Sequence, residues 1–158
     1  MRGGLREEDT GSRAQPMTDE HNLQRFLAAQ GHVFNAVLDE LRAGEKSSHW
    51  MWFIFPQITG LAHSGTAQTF AIASLEETKA YLQHHALRLR ECTQLVLNVN
   101  GRSAEQIFDY PDRLKFRSCL TLFMTATTEN KVFRDALLKY FDGKPDELTL
   151  DILAHQKL

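Results

Sequence analysis

The sequence lacks a long hydrophobic run and any block of basic residues. Its longest apolar run, Trp50 to Phe55, is far shorter than the roughly 20 residues that cross a bilayer. Lys and Arg are scattered along the chain, and the formal net charge is −2. A nucleic-acid-binding protein usually has a basic stripe that contacts phosphates. The composition therefore argues against a membrane protein and against a DNA or RNA partner.

Cysteines and histidines at metal-binding spacings are also absent. The two cysteines, Cys92 and Cys119, stand alone in predicted helices, so we expect buried free thiols. Without a signal peptide, this cysteine usage favours a cytoplasmic location. No histidine pair has a spacing that places two imidazoles on one helical face, and no P-loop or Rossmann glycine pattern occurs. We predict neither a metal site nor a cofactor.

The size and composition predict one folded domain. The chain has 158 residues, of which 42% are hydrophobic and 24% charged, close to the average for folded proteins. Residues 1–16 have almost no apolar side chain to offset the entropy of ordering, so we predict a disordered N-terminal tail. Residues 17–158 are predicted to form a single helical domain.

Apolar residues recur at spacings of three and four through most of that domain, which predicts an all-α fold of about six to eight helices. Residues 22–43 form one kinked helix or two short ones, because the pattern breaks near Gly31, and Gly44 ends it. Asp112 is predicted to cap a helix that runs to about Ala126, and another helix spans 131–141. The only extended segment expected is a short one at Met51 to Phe55.

The segment from Lys46 to Gln57 is the strongest candidate for a functional site. It holds both tryptophans and four further large apolar side chains within six positions, bordered by polar groups. Such a cluster can stack against a planar ligand such as a nucleobase or nicotinamide, while the polar groups bind its edge. The alternative is that these aromatic residues pack the core. The ligand-binding candidates here are Lys46, Ser48, Trp50, Trp52, Phe55 and Gln57.

His49 is the candidate catalytic residue, because the ordinary pKa of histidine lies near neutral pH. The alternative is a partly buried structural histidine. Lys115 and Arg117 lie near a predicted helix N-terminus, a natural position for binding a phosphate, so they are candidate anion ligands. The alternative is that both basic groups simply face water.

The runs SHWMWFIFPQ, TGL, FAIASLEETKAYLQH, RLREC and DRLKFRSCLTLF, in this order, resemble the bacterial family catalogued as domain of unknown function 1810. The resemblance spans about Asn22 to Leu153. It implies a mostly helical fold and no established activity.

A weaker resemblance is to the NADAR family, helical proteins associated with ADP-ribose and related N-glycosides. The segments WFIFPQ, TAQTF and LKFRSCLTLF are similar in position to its motifs. The resemblance implies that Trp52, Phe55 and Gln57 line a base pocket and that Lys115 or Arg117 faces phosphate. Gln68 stands where that family has an acidic residue, and an amide cannot act as a general base. Binding therefore carries over more readily than hydrolysis, and Gln68 is a further candidate ligand-binding residue.

The leading functional hypothesis is a small domain that binds or processes a nucleotide-like ligand related to ADP-ribose or NAD. The alternative is a non-catalytic protein-interaction module that uses the aromatic residues as an exposed patch. The sequence does not decide between an enzyme and a binding module, nor does it indicate an oligomeric state.

Overall fold

The computed structural model describes residues 19–156, and every regular element in that range is a helix. The tail predicted for residues 1–16 lies outside the described residues, and the domain boundary at residue 17 stays a prediction. The helices of the described range are α1 (Gln24–Gly31), α2 (Phe34–Ala43), α3 (Met51–Ile54), α4 (Gly65–Phe70), α5 (Leu75–Gln83), α6 (Leu89–Leu97), α7 (Ala104–Phe108), α8 (Asp112–Ala126), α9 (Lys131–Phe141) and α10 (Glu147–Gln156).

The all-α class is confirmed, but the described range holds ten helices where six to eight were predicted. The residues from 22 to 43 divide into α1 and α2 at His32 and Val33, because the backbone leaves helical geometry at Val33. Helix α2 ends at Gly44, whose left-handed φ of 74° suits glycine. A Cβ at Gly44 would also lie 2.9 Å from a methyl group of Val99.

The extended segment predicted at Met51 to Phe55 is wrong, because residues 51–54 form the short helix α3. The buried side chains in this region are Trp50, Met51, Ile54 and Phe55. A strand would bury every second residue, whereas this spacing of one and four positions is the spacing of a helical face. Trp52 and Phe53 lie on the other face of α3 and are half-buried.

Helix α8 is the central element of the described core. It packs against α5, α7, α9 and α10. Residues 118–123 of this helix are buried without interruption, so it meets protein on all sides along that stretch. Its first turn is more exposed, and the residues there reach the surface.

One isolated bridge joins two extended residues, Ile58 and Ile72, in parallel. The Thr59 N–H donates to the carbonyl of Ile72 at 2.8 Å, and the Ile72 N–H donates to the carbonyl of Gln57 at 2.8 Å. The bridge therefore holds together the two ends of the segment 59–71, which contains α4. This segment forms one wall of the cleft described below.

Arg25 holds the end of that segment against α1. Its guanidinium donates to the carbonyls of Thr69 at 2.8 Å and Ala71 at 2.9 Å. It also pairs with the carboxylate of Glu77 at 2.6 Å, and the two side chains are 16% and 5% exposed. The second oxygen of Glu77 accepts from the Ala73 N–H at 3.0 Å, so both carboxylate oxygens have a partner.

Both cysteines are free and buried, as the sequence predicted. Burial raises the pKa of the Cys92 thiol to about 12, which keeps it protonated and unreactive near neutral pH. None of the described helices has both the length and the hydropathy needed to cross a membrane.

The contacts of Arg25 predict that two arginine variants lose very different amounts of stability. Arg25→Ala leaves the buried Glu77 carboxylate unpaired, so we expect a loss of about 3 kcal/mol in the free energy of unfolding. Arg42→Ala is the matched control, because its pair with Asp39 is exposed and 3.8 Å long. We expect that control to change stability by less than about 0.5 kcal/mol. Urea denaturation of both variants measures the difference. Equal losses in the free energy of unfolding would show that the buried pair of Arg25 and Glu77 does not stabilise the fold.

Candidate functional site

The loop that precedes α3 is organised by one carboxylate, that of Glu40 on α2. One oxygen accepts from the Ser47 N–H at 2.8 Å, the Ser48 N–H at 3.1 Å and the indole N–H of Trp50 at 2.9 Å. The other accepts from the Ser48 hydroxyl at 2.5 Å. Four donors on one carboxylate fix both the backbone of the loop and the direction of the Trp50 ring.

The same bonds set the acidity of Glu40. Burial acts to raise its pKa, but the hydrogen bonds from Ser48, Ser47 and Trp50 outweigh burial and lower the pKa below its ordinary value of 4.5. The folded state therefore favours the carboxylate form.

The two tryptophans consequently have different surroundings. Trp50 is fully buried, with its ring 6.2 Å from that of Phe55. Trp52 is half-buried and lines a cleft on the surface. Core packing therefore describes Trp50, whereas Trp52 lies at a cavity wall, where a ligand-binding role would place it.

We call this cavity the Trp52 cleft. Helix α3 and the residues after it form one side, the segment 59–71 forms the opposite side, and α8 contributes one side chain. Three of the lining residues from the segment 59–71 are alanines, and their small side chains leave the cleft between the two sides. The lining residues are Met51, Trp52, Phe55, Gln57, Ile58, Ala62, Ala67, Phe70, Ala71 and Lys115.

The cleft is narrow in this conformation. It encloses about 310 Å³ counting its open mouth, but only about 10 Å³ admits the centre of a water molecule. That inner space is about enough for one water. A ring enters only when a half-buried wall residue such as Trp52 or Phe70 changes its rotamer.

A cluster of three charges lies at the α8 side of the cleft. The Asp112 carboxylate is 2.9 Å from the ammonium of Lys46 and 3.6 Å from that of Lys115. The three side chains are largely withdrawn from water, with Lys46 9% exposed and the other two 19% exposed each. The Lys115 ammonium also lies 4.9 Å from the centre of the Trp52 ring, a cation–π distance.

A family model described as "Protein of unknown function (DUF1810)" matches residues 20–153. The chain belongs to this family. The crystal structure of the conserved hypothetical protein Rv1873 from Mycobacterium tuberculosis is similar to this DUF1810 chain, with a TM-score of 0.85 and 51% identity over 86% of this chain and 99% of that one. No curated protein matches the chain. Neither match is described as a NADAR protein, so that weaker likeness stays a prediction.

The DUF1810 fold brings together four of the residues selected from the sequence, since Trp52, Phe55, Gln57 and Lys115 all line the cleft. Lys46 joins them indirectly through Asp112. Asp112 was expected to cap α8, but Pro111 occupies the N-cap position and Asp112 is the first helical residue. Its carboxylate is thereby directed to the two lysines instead of the helix backbone.

Two of the other candidates stabilise the surrounding structure. Trp50 and Ser48 donate to Glu40, so they fix the loop and do not line the cleft.

The remaining three candidates lie outside the cleft lining. His49 is exposed on the loop before α3. Gln68 is exposed, and its amide donates to the carbonyl of His63 at 3.1 Å. Arg117 donates to the carbonyls of Lys144 at 2.9 Å and Pro145 at 3.0 Å, where it holds the chain that leads into α10.

Sequence reasoning did not select Glu40 or the lining residues Met51, Ile58, Ala62, Ala67, Phe70 and Ala71. Ala67 lies in α4, whereas Ala71 follows the helix with an extended backbone, so no helical spacing marked these small residues in the sequence. Glu40 and Phe70 gave no local indication, because their contacts join segments distant in the chain.

The Glu40 bonds predict an acid-dependent contribution to stability. A lowered folded-state pKa contributes stability above the unfolded value of 4.5, and this contribution is lost as the pH falls through the folded pKa. Glu40→Gln should therefore lower the free energy of unfolding by about 1 kcal/mol near neutral pH, after allowing for partial exposure. The difference from the unmodified chain should shrink in strong acid.

Urea unfolding followed near pH 7 and near pH 3 measures this effect. Glu45→Gln is the control, because Glu45 is exposed on the same loop. A loss for Glu40→Gln that is the same at both pH values would contradict the proposed role of the charge.

Proposed function

We propose that the Trp52 cleft binds a planar, nucleotide-like ligand of the ADP-ribose or NAD class. The observation that supports this most directly is the position of Trp52. This half-buried residue borders a cavity that Gln57 and Lys115 also line, and the Lys115 ammonium lies 4.9 Å from the centre of the indole ring. An apolar pocket with a few converging polar groups is the usual form of a small-molecule site.

Each part of the cleft has a chemical role in this proposal. The rings of Trp52, Phe55 and Phe70 provide flat apolar surface for a base or a nicotinamide. The side-chain amide of Gln57 can donate and accept, so it can match the polar edge of such a ring. Lys115 supplies a cation for a phosphate or carboxylate attached to that ring.

The volume limits which part of the ligand is enclosed. Only about 10 Å³ of inner space is open in this conformation, well below the range for ligand pockets. A ring would therefore enter after Trp52 or Phe70 changes its rotamer, and the remainder of a dinucleotide would extend over the surface.

The lining favours binding over hydrolysis. It contains no carboxylate and no histidine among the described residues, and a general base must reach the reacting group. His49, the candidate catalytic residue, is exposed outside the lining. We therefore propose a binding role and assign no catalytic residue.

The alternative, a protein-interaction module, has support at other surfaces. Full burial of Trp50 removes one of the two indoles from any exposed patch. The most exposed large apolar side chains described are Tyr110 at 68%, Leu138 at 66% and Leu148 at 63%. An interaction role would therefore use these residues. Size-exclusion chromatography with light scattering, on the chain and on Leu148→Ser, would detect self-association through Leu148.

A cytoplasmic location is part of this proposal. It is supported by the two free, buried thiols, which are typical of proteins kept in a reducing compartment.

Single-tryptophan variants test the proposed ligand directly. In Trp50→Phe the emission comes from Trp52 alone, and we expect ADP-ribose or NAD to quench or shift it because the ligand stacks on that ring. In Trp52→Phe the emission comes from buried Trp50, and we expect little change. Fluorescence titration of both variants measures this difference.

The two variants also control for each other, because each retains one indole. Trp50→Phe also removes the hydrogen bond to Glu40, so circular dichroism first confirms that both variants are folded. No response from Trp52 at millimolar concentrations of any of these ligands would overturn the proposed function. An equal response from both variants would indicate binding elsewhere or a general change of structure, and would overturn the assignment to this cleft.

A further inference from the structure

The charge cluster beside the Trp52 cleft has an excess of one positive charge. Lys46 and Lys115 contribute two formal positive charges, and Asp112 contributes one negative charge. The carboxylate is paired closely with Lys46, at 2.9 Å, and more loosely with Lys115, at 3.6 Å. The excess charge therefore belongs mainly to Lys115, which is also the member that lines the cleft.

The donors of Lys115 are available to a ligand. A distance of 3.6 Å is longer than a hydrogen bond, so the Asp112 contact does not use an N–H of the ammonium. An ammonium has three such donors. The Trp52 ring, 4.9 Å away, stabilises the positive charge without occupying a donor.

Limited contact with water makes the site sensitive to the amount of charge on a ligand. The exposed fractions of 9% and 19% imply a lower effective dielectric than bulk water. The attraction between the excess charge and an anion grows in proportion to the ligand charge. The cost of removing the ligand from water grows with the square of that charge, so it rises faster.

We infer that the Trp52 cleft selects a planar ligand with a single negative charge next to its ring, with Lys115 as the residue that determines this specificity and Asp112 as the residue that limits it. This inference rests on the proposed function, because it requires that the cleft holds a ring. The favoured acid group is a carboxylate or an internal phosphoryl group of a diphosphate, each with one charge. A terminal phosphate, which has a charge of about −1.5 to −2 at neutral pH, is disfavoured.

Three pyridines of similar shape provide the test, namely nicotinamide, nicotinate and quinolinate, which have charges of zero, minus one and minus two. Isothermal titration calorimetry on the full chain should show nicotinate binding about tenfold more tightly than either of the others, the scale of one charge-assisted hydrogen bond. Lys115→Gln should remove the preference for nicotinate over nicotinamide, whereas Lys115→Arg should retain it.

Asp112→Asn separates charge from shape. It raises the formal charge of the cluster from plus one to plus two without changing the size of the side chain. The binding of quinolinate relative to nicotinate should then improve by about tenfold. A preference set by the bulk of the second carboxylate would stay the same. Lys79→Gln, which removes a charge from an exposed position on α5, is the control for the net charge of the chain.

The outcomes distinguish this inference from the proposed function. Equal binding of nicotinamide and nicotinate, unchanged by Lys115→Gln, overturns the charge selection and leaves a ring-binding cleft. Tightest binding by quinolinate in the unmodified chain also overturns the selection. No binding of any of the three pyridines at millimolar concentration overturns the ring-binding function itself. Circular dichroism of each variant confirms that it is folded before its binding is compared.

Discussion

The burial of Phe116 determines the arrangement around the candidate site. Its ring is fully buried, 4.7 Å from the ring of Phe108 and 5.0 Å from that of Phe55. Successive side chains on a helix point about 100° apart. Once Phe116 enters the core, its two neighbours must leave α8 on opposite sides. Lys115 is thereby directed to the Trp52 cleft, and Arg117 to the chain before α10. The burial of Phe116 thus gives Lys115 and Arg117, the two basic residues beside it, different roles.

A second constraint acts from the other side of the cleft. Glu40 binds the indole of Trp50 and the backbone of the preceding loop, which sets the rotation of α3. Because Trp52 is two residues further along a helix, burial of Trp50 leaves Trp52 on a different face. The Trp52 cleft exists because that face meets a wall with small side chains at Ala62, Ala67 and Ala71. A larger residue at any of these positions would fill the space.

The backbone around the Trp52 cleft is fixed by hydrogen bonds, whereas the side chains of its walls are less constrained. Arg25 and the Ile58–Ile72 bridge fix both ends of the segment 59–71, and Glu40 fixes the loop before α3. Between these anchors the cleft is nearly closed, and its walls include half-buried aromatic rings. This combination of fixed ends and adjustable side chains suits a site in which a ligand displaces side chains and leaves the backbone in place.

Helix positions follow from local spacing, because contacts between residues three and four apart are encoded in neighbouring positions. The end of α8 at Ala126 and both ends of α9, at Lys131 and Phe141, were predicted in this way, whereas the start of α8 lies one residue earlier than predicted. Helix α3 gave no such signal, because all six residues from Trp50 to Phe55 are apolar and only the structure shows which of them are buried. The sequence does not indicate which residues line the cleft. Two tryptophans and two basic residues were equal candidates, yet in each pair only one lines it. Trp50 contacts Glu40, and Arg117 contacts the chain before α10, whereas Lys115 contacts Asp112. Those contacts join residues far apart in the chain, so only the packing of the helices decides which side chain meets the cavity and which supports it.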